Sequence, residues 1–306
     1  MRISTSSIFD RAGARLSDLQ AQLNRTGQQI AAGTRVLTPA DDPVAAARAL
    51  EVQQSSSIND QLSKNRLSVK NFLGAMDGSL SSTVDTLQSM KEQVIAAGNG
   101  TYSDTDRAAI ANVLQGQLDQ LVSLANSSDG AGHYLFSGLQ TGTAPYAVAP
   151  TTGSITYQGD ALQQSVQVDN SRSMSITQAG QSLFAADQNG KTLFDHMRAA
   201  ITDLQTPQLT SVTHAAQLAL TGGSLDQALT SVSTMQSTVG TQLQQIDSLD
   251  SVAGDRKVQY AQTLSDLQAL DYNKALSDLS LQQMALQAAQ KSFQQISQLS
   301  LFNYLS

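Results

Sequence analysis

The stretch Ala185-Ala-Asp-Gln-Asn-Gly190-Lys191-Thr192 comes nearest, by residue type and spacing, to catalytic chemistry. Gly-Lys-Thr closing an eight-residue turn is the loose form of a phosphate-binding loop, in which backbone N–H groups cradle phosphates and the lysine reaches a terminal one. Ala185 stands where that pattern has its first Gly. The chemistry also needs a buried apolar strand leading in and an Asp closing a second apolar strand to help hold Mg²⁺. Gln181-Ser-Leu-Phe184 is short, and no second apolar strand closing in an Asp is evident. The spacing therefore predicts a polar turn on Asp187, Asn189 and Gly190 that leads into a helix from Thr192. Nucleotide chemistry on Gly190-Lys191-Thr192 is the distant alternative.

The other reactive side chains are scattered. His133, His196 and His214 share no helical ligand spacing, and no acidic residue stands beside them as in a zinc protease. His133 reads as a turn or strand residue, His196 and His214 as helix-surface residues. Asp41-Asp42 could be an acid/base couple, but two acids before Pro43 fit a helix start better, with Asp42 as N-cap and Pro43 at the first helical position. Asp187 and Asn189 are a fragment of a calcium loop without the later acidic ligand. No catalytic, metal or cofactor-binding residue is assigned, and no cofactor is expected.

Composition points to assembly instead. The 306 residues include no cysteine and no Trp, and only 14% are charged. Gln, Ser, Thr, Ala and Leu fill the difference, and an uncharged polar face can pack against other protein without burying charge. A net charge of −7 argues against nucleic acid as a main partner. The first 35 residues run the other way, with five Arg against two Asp, too sparse for a phosphate-binding patch. No run approaches the ~20 apolar residues that span a bilayer, so membrane insertion is not expected. Met1-Arg2 is followed by Ile-Ser-Thr-Ser-Ser and not by an apolar core, so the expectation is a protein that stays in the cytoplasm or leaves by a route without a cleaved signal peptide.

The elements that would position such faces lie at the two ends of the chain. Phe9, Ala12, Leu16, Leu19, Leu23, Thr26 and Ile30 fall in alternating steps of three and four, as do Tyr272, Ala275, Leu279, Gln282, Leu286, Ala289, Phe293 and Ile296. A seam of this kind needs a helical partner. The polar faces carry Gln and Ser more than Lys, which favours helices over lipid as that partner. Between the ends the pattern predicts a helix from about Ser7 to Ala32 stopping at Gly33, and a long second helix from Pro43 to about Ala97, with Gly74 and Gly78 marking a bend. A third starts near Ser103. Short alternating segments follow at Tyr134–Phe136, Tyr146–Val148, Ile155–Tyr157, Ser165–Val168 and Met174–Ile176. Helical spacing returns at Thr192, breaks near Pro207, and continues to the end, with Gly222-Gly223, Gly240 and Gly254 as possible breaks. The expected fold is mainly α with a β-rich insert: a long antiparallel helical, coiled-coil rod from both termini and a small β head. The expected segments are 1–42 (N-terminal coiled coil and turn), 43–130 and 191–255 (the two halves of the helical rod), 131–190 (β head) and 256–306 (C-terminal coiled coil).

Three fragments carry a family resemblance. Met1-Arg-Ile-Ser-Thr5, Gln29-Ile-Ala-Ala-Gly-Thr-Arg35 with Pro39-Ala-Asp-Asp-Pro-Val-Ala-Ala-Ala47, and Ser300-Leu-Phe-Asn-Tyr-Leu-Ser306 resemble the bacterial flagellin superfamily and, within it, the hook-associated protein 3 family of hook–filament junction proteins. Gly132-His-Tyr-Leu-Phe-Ser-Gly138 and Tyr157-Gln-Gly-Asp160 are similar to that family's head region, although His133 and Tyr146 depart from its usual residues. The resemblance implies a structural subunit of the extracellular flagellum, not an enzyme. It would form a ring of its own copies between a hook-side hook-associated protein and flagellin, after delivery by an export chaperone and the type III export apparatus. A minor flagellin that polymerises into filament is the alternative. On either reading the seam residues Phe9, Leu16, Leu19, Leu23, Ile30, Leu279, Leu286, Phe293 and Ile296 are the expected assembly interface.

Overall fold

Capping side chains set where the helices begin. Asp42 Oδ1 accepts the Ala45 amide at 3.0 Å just before Pro43, and Asp271 Oδ1 accepts the Lys274 amide at 3.1 Å. Ser103 with Asp106, and Thr192 with Asp195, form reciprocal capping boxes that satisfy amides of the first turn. The resulting elements, in a computed structural model that describes residues 2–207 and 211–305, are α1 (Arg2–Ala32), α2 (Pro43–Ala97), α3 (Asp104–Ala125), β1 (Tyr146–Val148), β2 (Ile155–Tyr157), β3 (Ser165–Asp169), β4 (Arg172–Ser175), a 3₁₀ turn at Gly180–Ser182, α4 (Leu193–Gln205), α5 (Ser211–Gln268) and α6 (Tyr272–Leu305). The side chains of residues 2–6, 8, 211–212 and 296–305 lie outside that description. The molecule is mainly α with a small β region, as the periodicity predicts. By contacts it divides into Met1–Ile58 with Asp255–Ser306, and Asn59–Gly254.

The Asn59–Gly254 unit is built on a heptad. On α2, Leu62, Val69, Met76, Thr83, Met90 and Ala97 are buried seven residues apart, interleaved with Asn59, Arg66, Leu73, Leu80, Leu87 and Val94. On α5, Leu218, Leu225, Val232, Val239, Ile246 and Ala253 repeat the same step. A strict seven-residue apolar repeat is the pattern of a coiled-coil seam. The two helices run antiparallel, because rising α2 numbers meet falling α5 numbers. Arg66 bonds Asp250, Lys70 bonds Asp247 and Lys91 bonds Asp226. The two lysine pairs are three heptads apart on both helices. Helix α3 lies against α2, with Ser79 Oγ donating to the Leu124 carbonyl at 3.1 Å and Gln117 Nε2 donating to Ser89 Oγ at 2.7 Å.

The β region is two antiparallel hairpins, β1 with β2 and β3 with β4. The first carries two rings of an aromatic cluster: Tyr146 lies 5.3 Å from Tyr157, 5.8 Å from Phe184 and 5.2 Å from Phe194, ring to ring. Burial pushes the Tyr146 hydroxyl well above its ordinary pKa, and it donates to the Gly180 carbonyl at 2.6 Å. Asp160 holds the next turn, accepting the amides of Leu139 at 2.9 Å and Leu162 at 3.1 Å. Gly138 there has φ +70°, and a Cβ on it would meet the carbonyl oxygens of Asp160 at 2.7 Å and Leu162 at 2.8 Å.

Several expectations fail locally. Tyr134–Phe136 is not a strand: Leu135 and Phe136 are buried, and a single bridge joins Tyr134 to Ser128. Helix α5 continues through Gly222-Gly223, Gly240 and Gly254. Glycine costs about 1 kcal/mol in a helix, which a buried seam of this length outweighs. His196 and His214 are not surface residues but 5% and 4% exposed. His196 Nε2 lies 3.0 Å from Asp187, and His214 Nδ1 2.8 Å from Asp203.

Candidate assembly interface

The terminal helices pack along each other in the Met1–Ile58, Asp255–Ser306 unit. On α1 the partly or fully buried positions include Phe9, Ala12, Leu16, Leu19, Leu23, Thr26 and Ile30. On α6 they include Ala275, Leu279, Gln282, Leu286, Ala289 and Phe293. Ile296 lies among the side chains outside the description. The pair is antiparallel: Gly33, just past the end of α1, lies beside Tyr272 at the start of α6, and Phe9 meets Phe293 edge-on at 5.9 Å between ring centres. Tyr272, first in the predicted spacing, is 51% exposed. Of these seam positions only Thr26 and Ala275 are fully buried; Leu16, Leu19, Leu23, Ile30, Leu279, Leu286 and the two phenylalanines are half-buried. A two-helix contact covers one side of each stripe and leaves its flank open. Outside the seam, Leu276, Leu281 and Met284 are more than half exposed on α6. Gln282 puts a carboxamide into this seam, and its Oε1 is buried without a hydrogen-bond partner.

A polar knot closes one end of the pair. Gly33 takes φ +69°, the left-handed conformation that ends a helix, where a side chain would be strained and would press on the Tyr272 hydroxyl at 2.9 Å. Thr34 then bridges Ala269, the Arg35 amide donates to the Gln268 carbonyl at 2.7 Å, and the Leu270 amide returns a bond to Gly33. The Arg35 side chain spans two elements: Nη2 donates to the Leu267 carbonyl near the end of α5, and Nη1 to Asp42 at the start of α2, each at 3.0 Å. Asp41 accepts the amides of Leu37 at 2.8 Å and Thr38 at 2.9 Å, and pairs with Arg25 of α1. The Thr38 amide above all, with Leu37 and Arg25, holds the Asp41 carboxyl below its ordinary pKa against a smaller opposing effect of burial. The Ala45 amide, then Arg35, does the same for Asp42. Sequence spacing identifies Asp42 as a cap, but it gives no sign that Arg25 and Arg35 are the other half of the knot. Leu267 is 232 positions from Arg35.

The loop at residues 185–192 is occupied by its own side chains. Asp187 Oδ1 accepts the amides of Asn189 at 2.8 Å and Lys191 at 2.9 Å, and its Oδ2 faces His196. Asp195 accepts the Thr192 amide at 2.9 Å. The amides of Asn189, Lys191 and Thr192 thus already serve carboxylates and that of Gly190 the Asp187 carbonyl, and a 3₁₀ turn, not a strand, precedes the loop. Among the described residues no three His, Asp or Glu are grouped to hold a metal ion, and no helix is long and apolar enough to cross a membrane.

Known proteins resemble this chain in sequence and fold. Residues 3–141 match the bacterial flagellin N-terminal helical region. Flagellar hook-associated protein 3 of Escherichia coli K12 is 36% identical over 317 aligned residues, covering 99% of both chains. The protein of the same name from Salmonella typhimurium LT2 is 35% identical over the same shares. The solved flagellar junction protein FlgL of Legionella pneumophila shares the fold, with a TM-score of 0.60 and 20% identity over 72% of this chain and all of its own. With more than a third of its residues identical to those of relatives matched end to end, the chain belongs to the flagellar hook-associated protein 3 family.

Proposed function

We propose that the protein is a structural subunit of the bacterial flagellum, forming the junction ring between hook and flagellin filament through its terminal helices. The observation that carries this is the α1–α6 seam, antiparallel and only half covered by its own partner, in a chain that matches hook-associated protein 3 from end to end. Phe9, Leu16, Leu19, Leu23, Ile30, Leu279, Leu286, Phe293 and Ile296 carry the contacts between copies and with the hook-side hook-associated protein and flagellin. A half-covered apolar stripe gains most by taking further helices onto its open flanks. The role is structural and calls for no catalytic step, consistent with the filled amides of the 185–192 loop.

Delivery through the type III export apparatus accompanies this reading, with a chaperone shielding α6 beforehand. Leu276, Leu281 and Met284 would otherwise expose apolar surface in the cytoplasm. A strain lacking the gene should carry intact hooks and shed flagellin into the medium. Complementation by a chain ending after Leu279 should fail to retain filaments although the Asn59–Gly254 unit stays folded. Filament retention by that truncation would refute the seam's role. Polymerisation of the purified protein into long filaments in high salt would instead identify a minor flagellin.

A further inference from the structure

A heptad seam does not by itself choose its register. Sliding α5 past α2 by seven residues, about 10 Å of helix axis, still sets the repeating apolar positions of one helix against those of the other. Arg66 breaks this degeneracy. It occupies the same heptad position as Leu73, Leu80 and Leu87, yet it is a charged side chain only 1% exposed. Its Nε donates to Asp250 Oδ1 at 2.5 Å and its Nη1 to the Val168 carbonyl at 2.9 Å. Val168 sits where the β3–β4 register shifts between Gln167 and Asp169. The neighbouring Asn65 Nδ2 donates to the Gln167 carbonyl at 2.9 Å. Nη2 of Arg66 is buried with no hydrogen-bond partner.

A buried guanidinium with its whole Nη2 amino group unpartnered, paired to an Asp250 whose side chain is 39% exposed, is a poor stabiliser, and apolar replacement of buried ion pairs is commonly neutral or stabilising. It is a strong discriminator, because a wrong pairing leaves a buried charge with nothing opposite. A one-heptad slip puts Leu243 or Lys257 in place of Asp250. It also sets Lys70 against Gly240 or Gly254, and Lys91 against Ala219 or Ser233. All three ion pairs are lost together, while the apolar seam hardly changes.

We propose that Arg66 is a register-selecting residue: its buried guanidinium admits the pairing of α2 with α5 in which Asp250 and the Val168 carbonyl are both at hand, and it adds little to stability. The chain has no native cysteine, so spin labels on Glu92→Cys and Gln244→Cys, both exposed, report register in the full-length protein. Gln244 lies eighteen positions beyond Asp226 on α5, so a heptad slip changes the label separation by most of 10 Å. After refolding from urea, the labelled parent gives one distance. Arg66→Met refolds with an unchanged or higher Tm and places at least a tenth of the molecules at a distance displaced by about 10 Å. A single native distance in Arg66→Met overturns the proposal, as does a Tm fall of ten degrees or failure to refold, either of which makes Arg66 a stabiliser. Asp250→Leu with Leu243→Asp, which keeps Arg66 and moves its partner by one heptad, draws a displaced population. An unmoved distance in that variant also overturns the proposal.

Discussion

The edge-on meeting of Phe9 and Phe293 makes the pairing of the terminal helices measurable. Truncating a fully buried Phe to Ala costs about 3–5 kcal/mol. Both rings are half-buried, so each single change should cost roughly 2 kcal/mol on the same scale. Part of that is shared: an edge-to-face pair contributes about 0.5–1.5 kcal/mol beyond its buried area, and the observed geometry, 5.9 Å and 89°, lies in the favourable range. Phe9→Ala/Phe293→Ala should therefore cost less than the sum of the single changes, by about 0.5–1.5 kcal/mol. The readout is amide exchange of the Met1–Ile58, Asp255–Ser306 unit in the three variants and the parent. Protection at Arg35 and Leu270, whose amides bond across the knot, follows opening of the pair. Strict additivity within about 0.3 kcal/mol would refute the argument, because residues that do not touch in solution show no coupling.

Further outcomes follow from other contacts. Asp41 and Asp42 have carboxyl pKa values lowered from 3.8 by amide donors, so their contribution is complete above pH 3.8 and is lost as pH falls through the lowered values. Amide protection at Leu37, Thr38 and Ala45 should therefore drop in acid below about pH 4, and Asp41→Asn should flatten that dependence at Leu37 and Thr38. Gly138→Ala should destabilise the Asn59–Gly254 unit by about 2 kcal/mol or more, since it meets both a left-handed φ and the Asp160 carbonyl at 2.7 Å; urea denaturation measures it. Tyr146→Phe leaves the Gly180 carbonyl without the 2.6 Å donor it now has, at a cost of about 1–3 kcal/mol, seen as a Tm lower by several degrees.

The helical framework was largely legible because its signals are local. Asp42-Pro43, Ser103 with Asp106 and Thr192 mark helix starts within a few residues, and Gly33 marks a stop. What stayed hidden depends on partners far along the chain. His196 and His214 look like surface residues until Asp187, from the loop before α4, and Asp203, on a different helix from His214, are brought against them. Arg66 looks like an ordinary solvated charge, since Asp250 is 184 residues away. The glycines of α5 read as breaks because propensity sees each alone, whereas the buried seam acts over many turns. Leu135 and Phe136 are core residues on irregular chain, an environment that alternation cannot distinguish from a strand.

The knot at Arg35 has a mechanical consequence. The chain breaks its helical run between α1 and α2 and again between α5 and α6, and the Thr34–Ala269 bridge rivets the two breaks together. Tension on the terminal helices therefore divides between two strands of the chain and loads the Arg35 bonds to Leu267 and Asp42 together. Bonds loaded in parallel yield together, at a higher force than bonds peeled in turn. The joint at Arg35 thus resists tearing without any covalent cross-link.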